Sequence, residues 1–113
     1  MITIYHNPRC SKSRAGVQYL EQLNMPFKTI LYMEEQLSYQ ELEGIIRRLG
    51  IRPFELLRRN EPVWKEVYKD KNLTDSEIIN LMVTNPQLIE RPIVVNGNKA
   101  VIGRPTENIA LIL

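Results

Sequence analysis

Residues 2–33 carry two short β-forming runs on either side of one helix-length segment, and no other feature of the chain constrains its fold as tightly. Ile2-Thr3-Ile4-Tyr5 is rich in β-branched and aromatic residues and reads as a buried strand. Over residues 11–23, Val17, Leu20 and Leu23 recur at threefold spacing, with Ala15 and Tyr19 beside them, which predicts an amphipathic helix. Asn24-Met25-Pro26 ends it, and residues 27–33 form a second strand. Two strands joined through one helix lie parallel, with a right-handed crossover.

The middle of the chain is helical. Ser38 with Glu41 three residues on is a capping box, followed by an apolar face of Leu42, Ile45, Ile46 and Leu49 and a stop at Gly50. Residues 52–60 read as a short helix with Pro53 in its first turn and Arg58 near its end. Residues 61–68 carry Trp64 in another short helix. Thr74 and Glu77 cap a further helix that Asn85-Pro86 ends.

The last third returns to strands. Residues 91–95 read as a strand opened by Pro92, Asn96-Gly97 is a hairpin signal, and residues 99–102 pair back. Gly103-Arg104-Pro105 turns, and Thr106 caps a final helix over residues 107–113. The order is β-α-β, helices, then β-β-α. A four-stranded mixed sheet with helices on its faces satisfies it: the thioredoxin-like α/β arrangement, with a helical segment inserted over about residues 38–85. The 113 residues suit a single domain. This arrangement sets the first βα loop beside the start of the third strand, so Cys10 and Arg91-Pro92 are expected to be neighbours and the Arg91–Pro92 bond to be cis.

Cys10 is the only cysteine, and it closes the loop between the first strand and the first helix. A free cysteine is often just a small buried hydrophobe. Here His6, Arg9, Lys12 and Arg14 crowd the same stretch, and a helix start offers free N–H groups to an anion. Those surroundings lower a thiol pKa from about 8.5 into the range of roughly 3.5–7.5. With one cysteine no intramolecular disulfide exists, so a redox-active Cys10 needs an outside thiol to resolve it. Fifteen Lys and Arg against 13 Asp and Glu leave the charge near balance, which speaks against general nucleic-acid binding. No charged and apolar leader follows Met1, and no apolar run is long enough to span a membrane. A cytoplasmic, reducing location is expected.

Three later arginines stand out by position: Arg58, Arg91 and Arg104. Four separated blocks carry a resemblance over essentially the whole chain. They are Tyr5-His6-Asn7-Pro8-Arg9-Cys10-Ser11-Lys12-Ser13-Arg14, Leu56-Leu57-Arg58-Arg59-Asn60, Glu90-Arg91-Pro92-Ile93-Val94-Val95 and Gly103-Arg104-Pro105. Together they resemble the glutaredoxin-linked arsenate reductases of the thioredoxin fold. The resemblance implies that Cys10 is the nucleophile, that His6 tunes it, and that Ser13 hydrogen-bonds to its thiolate. It places Arg58, Arg91 and Arg104 on the oxyanion. Lys12 and Arg9 lie within the motif without a defined role.

The implied chemistry suits these residue types. Arginine forks grip tetrahedral oxyanions bidentately. The resemblance implies arsenate as substrate, glutathione as thiol co-substrate and glutaredoxin as partner, with no bound cofactor, no metal and a monomeric chain. Two alternatives stay open. One is a glutathione-linked thiol oxidoreductase without physiological arsenate activity. The other is a redox or stress regulator that binds RNA polymerase; such regulators switch through Cys-x-x-Cys, and Ser13 stands where the second cysteine would be.

Overall fold

In the computed structural model, which describes all residues from Met1 to Leu113, the β-forming runs at the two ends of the chain join in one sheet. Residues Met1–Glu35 and Arg91–Leu113 make one unit, and Gln36–Glu90 make a second. The first holds β1 (Ile2–Tyr5), α1 (Ser11–Gln22), β2 (Phe27–Ile30), β3 (Ile93–Asn96) and β4 (Lys99–Ile102). The strand order is β2-β1-β3-β4. β1 runs parallel to β2 and antiparallel to β3, and β3 pairs antiparallel with β4. This is the mixed four-stranded sheet expected.

β1 is central because it has a partner on each edge. Its side chains alternate, with Ile2 and Ile4 buried and Thr3 and Tyr5 half-buried. Ile2, Ile4, Leu20, Val94, Ile109 and Ile112 form the core of this unit, each worth about 1.5–3 kcal/mol when fully buried. β2 stops at Ile30 rather than at residue 33, because its partner stops: Tyr5 pairs Ile30, and the His6 N–H then donates to the Ile30 carbonyl at 2.9 Å. β3 begins at Ile93, two residues later than expected. The hairpin turns on Gly97 and Asn98, since Asn96 and Lys99 are still paired; Gly97 takes φ 63°, a conformation natural to glycine.

The buried line of α1 is Ser13, Gly16 and Leu20, whereas Leu23 is exposed. Small residues at 13 and 16 let the helix lie close on the sheet, which a count of apolar positions misses. A Cβ on Gly16 would sit 3.0 Å from the Pro92 ring and 3.2 Å from Ile4, and one on Gly103 would sit 3.0 Å from the same ring. Two glycines therefore clasp Pro92. The Arg91–Pro92 bond is cis, as expected, and so is Arg104–Pro105, which was not. The final segment, Thr106–Ile112, is a 3-10 helix flanked by Pro105, with no side-chain cap from Thr106. Ile109 and Ile112, three apart, eclipse in a 3-10 helix, and both reach the core.

The second unit holds α2 (Tyr39–Leu49), α3 (Pro53–Leu56), a π-helical turn (Trp64–Tyr68), α4 (Asp75–Thr84) and a 3-10 turn (Pro86–Leu88). Both expected capping boxes are present, on Ser38 with Glu41 and on Thr74 with Glu77. Leu42, Ile45, Leu56, Met82 and Leu88 are among its buried side chains, and Trp64 belongs to the same core. The segment over residues 52–60 is helical only to Leu56. Leu57 then bridges Ile89, the Arg58 N–H donates to the Leu88 carbonyl at 2.7 Å, and the Glu90 N–H donates to the Leu56 carbonyl at 3.0 Å. These strand-like bonds take the backbone groups a helix would need, so Arg58 lies on extended chain beyond the helix. No helix in either unit is long and apolar enough to cross a membrane.

Candidate active site

The site in the first unit is built on the loop between β1 and α1. The Cys10 N–H donates to the Asn7 carbonyl at 3.0 Å, and the Arg14 N–H donates to the Cys10 carbonyl at 3.0 Å, the first bond of α1. Cys10 thus occupies the N-cap, with extended backbone angles and no cap hydrogen bond from its own side chain. At such a position a side-chain acceptor takes N–H groups two and three residues ahead. The sulfur makes no such bond, yet the backbone N–H groups of Ser13 and Lys12 lie near enough to favour its thiolate.

Three polar side chains, His6, Asn7 and Ser13, are buried behind the thiol. Ser13 Oγ shares a 2.6 Å hydrogen bond with His6 Nδ1 and accepts from the Asn7 N–H at 2.9 Å. Asn7 Oδ1 accepts from the Arg9 N–H at 3.1 Å, and Arg14 Nη1 donates to the Pro8 carbonyl at 2.8 Å. The loop is therefore stitched to the first two turns of α1. The Ser13 N–H helps lower the Cys10 pKa, while its hydroxyl is engaged by His6 and Asn7. His6 stands one residue removed from the sulfur. Burial, and then the charge of Arg14, lower the His6 pKa, so the ring is neutral at pH 7.

Arg91 and Arg104 arrive from the far end of the chain. Arg104 Nη2 donates to Cys10 Sγ at 3.2 Å and its Nε to the Arg91 carbonyl at 2.7 Å. Asn108 Nδ2 donates to the Arg104 carbonyl at 3.1 Å. Burial raises the Cys10 pKa, but the Ser13 N–H, the Arg91 guanidinium and the Lys12 N–H bring it down to about 7. A substantial thiolate fraction therefore exists at neutral pH, beside two arginines.

Arg58 belongs to the second unit. Its Nη1 pairs with Glu90 Oε1 at 2.8 Å and its Nη2 with Glu61 Oε2 at 3.6 Å. Its Nε is buried with no hydrogen-bond partner. The first unit thus assembles Cys10, His6, Ser13, Arg91 and Arg104, and the second holds Arg58 between carboxylates. Four contributors went unassigned from sequence: Asn7, Asn108, Glu90 and the Lys12 N–H. Asn7-Pro8 is a turn-forming pair whose side chain readily bonds nearby backbone, which was the available signal for Asn7.

This arrangement offers a nucleophilic sulfur, N–H donors and guanidinium charge around one point, which suits attack on a tetrahedral oxyanion. Comparison with known proteins agrees. A model of the ArsC family matches residues 5–112. The chain is 40% identical to an arsenate reductase of Haemophilus influenzae, over 99% of this chain and 98% of that protein. It is 37% identical to an arsenate reductase of Neisseria meningitidis, over 99% and 97% of the two chains. Among solved structures, an arsenate reductase from Vibrio cholerae superimposes with a TM-score of 0.95 at 38% identity, covering 99% of this chain and 97% of that one.

Proposed function

The chain belongs to the ArsC family, and on that premise we propose that it reduces arsenate to arsenite through Cys10. One contact carries the proposal: Arg104 Nη2 lies 3.2 Å from Cys10 Sγ, so the nucleophile and an oxyanion-binding fork share one point. Arsenate carries two negative charges near neutral pH. Arg91 and Arg104 would hold its oxygens while the Cys10 thiolate attacks arsenic and displaces water, forming a sulfur–arsenic bond. The neutral His6 and buried Ser13 keep the loop in place for that attack.

A glutathione thiolate then attacks the Cys10 sulfur. The new S–S bond forms as the S–As bond breaks, and the electron pair of that bond stays on arsenic. Arsenic(V) becomes arsenic(III), arsenite leaves, and Cys10 is left in a mixed disulfide. Glutaredoxin removes the glutathione by thiol–disulfide exchange. The single cysteine supports an external thiol of this kind, and the glutathione-rich cytoplasm is the compartment that supplies it. The proposal extends to Arg58, the third arginine of the resemblance, which must exchange a carboxylate for the substrate.

The test is arsenate-dependent NADPH oxidation coupled through glutathione, glutaredoxin and glutathione reductase. Wild type is expected to turn over and Cys10→Ser to be inactive. A wild-type protein that is silent, yet has a titratable low-pKa thiol, would sink the arsenate assignment and leave a thiol oxidoreductase.

A further inference from the structure

Beside the thiol, in the first unit, is a cavity of about 430 Å³ lined by Lys12, Arg104, Pro105, Thr106 and Glu107. One of its walls, the Arg104 guanidinium, already touches the sulfur, and the backbone N–H of Lys12 helps lower the thiol's pKa. Arg104 is further occupied by the Arg91 carbonyl. Lys12 and Glu107 are different. Both are exposed, and neither side chain has an ion-pair or hydrogen-bond partner, even with the other charge in the same cavity. A cation and an anion that share a small cavity without neutralising each other suit a ligand bearing both signs. The volume falls toward the small end of the roughly 300–1,000 Å³ typical of small-molecule sites, which fits a short peptide rather than a protein surface.

We infer that this cavity binds the zwitterionic peptide thiol that resolves Cys10, with Lys12 on a carboxylate, Glu107 on the ammonium group, and the ligand sulfur facing Cys10 across Arg104. The inference rests on the external-thiol chemistry proposed above, and it concerns which part of the surface selects that thiol. It also gives Lys12 a purpose beyond its backbone. Exposed charge pairs are individually weak, so selectivity comes from the two acting on one ligand.

Thiol–disulfide exchange tests it without arsenate. The Cys10 thiolate attacks one sulfur of a disulfide, that S–S bond breaks, a thiolate leaves, and Cys10 keeps the other half. Rates are measured with glutathione disulfide, which carries both signs of charge, and with hydroxyethyl disulfide, which carries none. The ratio of the two rates cancels any change in thiolate fraction. Lys12→Glu and Glu107→Lys each replace an attraction by a repulsion, and each is expected to lower that ratio by about fivefold or more. A ratio that neither substitution moves overturns the site while leaving the reactive thiol intact. A Cys10 that reacts with neither disulfide overturns the thiol chemistry and the site with it.

Discussion

Arg104 and Arg58 belong to the same set of motif arginines and are both half-buried, yet opposite partners hold them. Arg104 donates to a sulfur and to a carbonyl. Arg58 lies between Glu90 and Glu61. A guanidinium already set against the nucleophilic sulfur meets an incoming dianion at the point of attack. One set between two carboxylates has its charge already neutralised, and must give up a partner to take another. The same residue type thus meets the nucleophile in one unit and two carboxylates in the other.

The largest effect is expected at the arginine that touches the nucleophile. Arg104→Ala should cut kcat/KM for arsenate by about 10²–10³, the range for losing one oxyanion donor. It should also raise the Cys10 pKa above its value of about 7, read from the pH dependence of alkylation. Normal turnover with an unmoved pKa would put Arg104 on the same footing as Arg58. Arg58→Ala should cost less, about tenfold in kcat/KM, equivalent to roughly 1.5 kcal/mol for one charge-assisted hydrogen bond. A loss as large as that of Arg104→Ala would erase the contrast.

The smallest effect is on stability. The Cys10 pKa is about 7 in the fold and lies near 8.5–9 when the chain is unfolded, so the folded state favours the thiolate. Its contribution is fully present above the unfolded value and is lost as pH falls through about 7. Urea midpoints should therefore rise between pH 7 and pH 9 more in wild type than in Cys10→Ser. Equal slopes would mean that the guanidinium and N–H groups do not hold charge on the sulfur.

Much of the fold was legible because its signals are local. The βαβ unit, both capping boxes, the Asn85-Pro86 stop and the Arg91–Pro92 turn each sit within a few residues of sequence. The misreadings share one cause, a partner elsewhere. β2 is short because β1 ends at Tyr5. The chain leaves the helix after Leu56 because residues 88–90 take the Leu56 carbonyl and the Arg58 N–H. The last segment winds as 3-10, with Ile109 and Ile112 both in the core that the sheet provides. The buried line of α1 was missed because Ser13 and Gly16 contribute closeness, not hydrophobicity.

The site divides the same way. The sequence by itself determined that one thiol sits at a helix start, that Ser13 denies it a second cysteine, and that its neighbours are cationic. Those are facts of composition and order along a dozen residues. Only the tertiary structure decided that Ser13 turns its hydroxyl to His6, and that Arg104 crosses 94 positions to reach Cys10. It alone set Arg58 between two carboxylates. Hydrogen-bond partners are chosen by which groups the packed sheet and helices bring within about 3 Å, and that choice is made in space rather than along the chain.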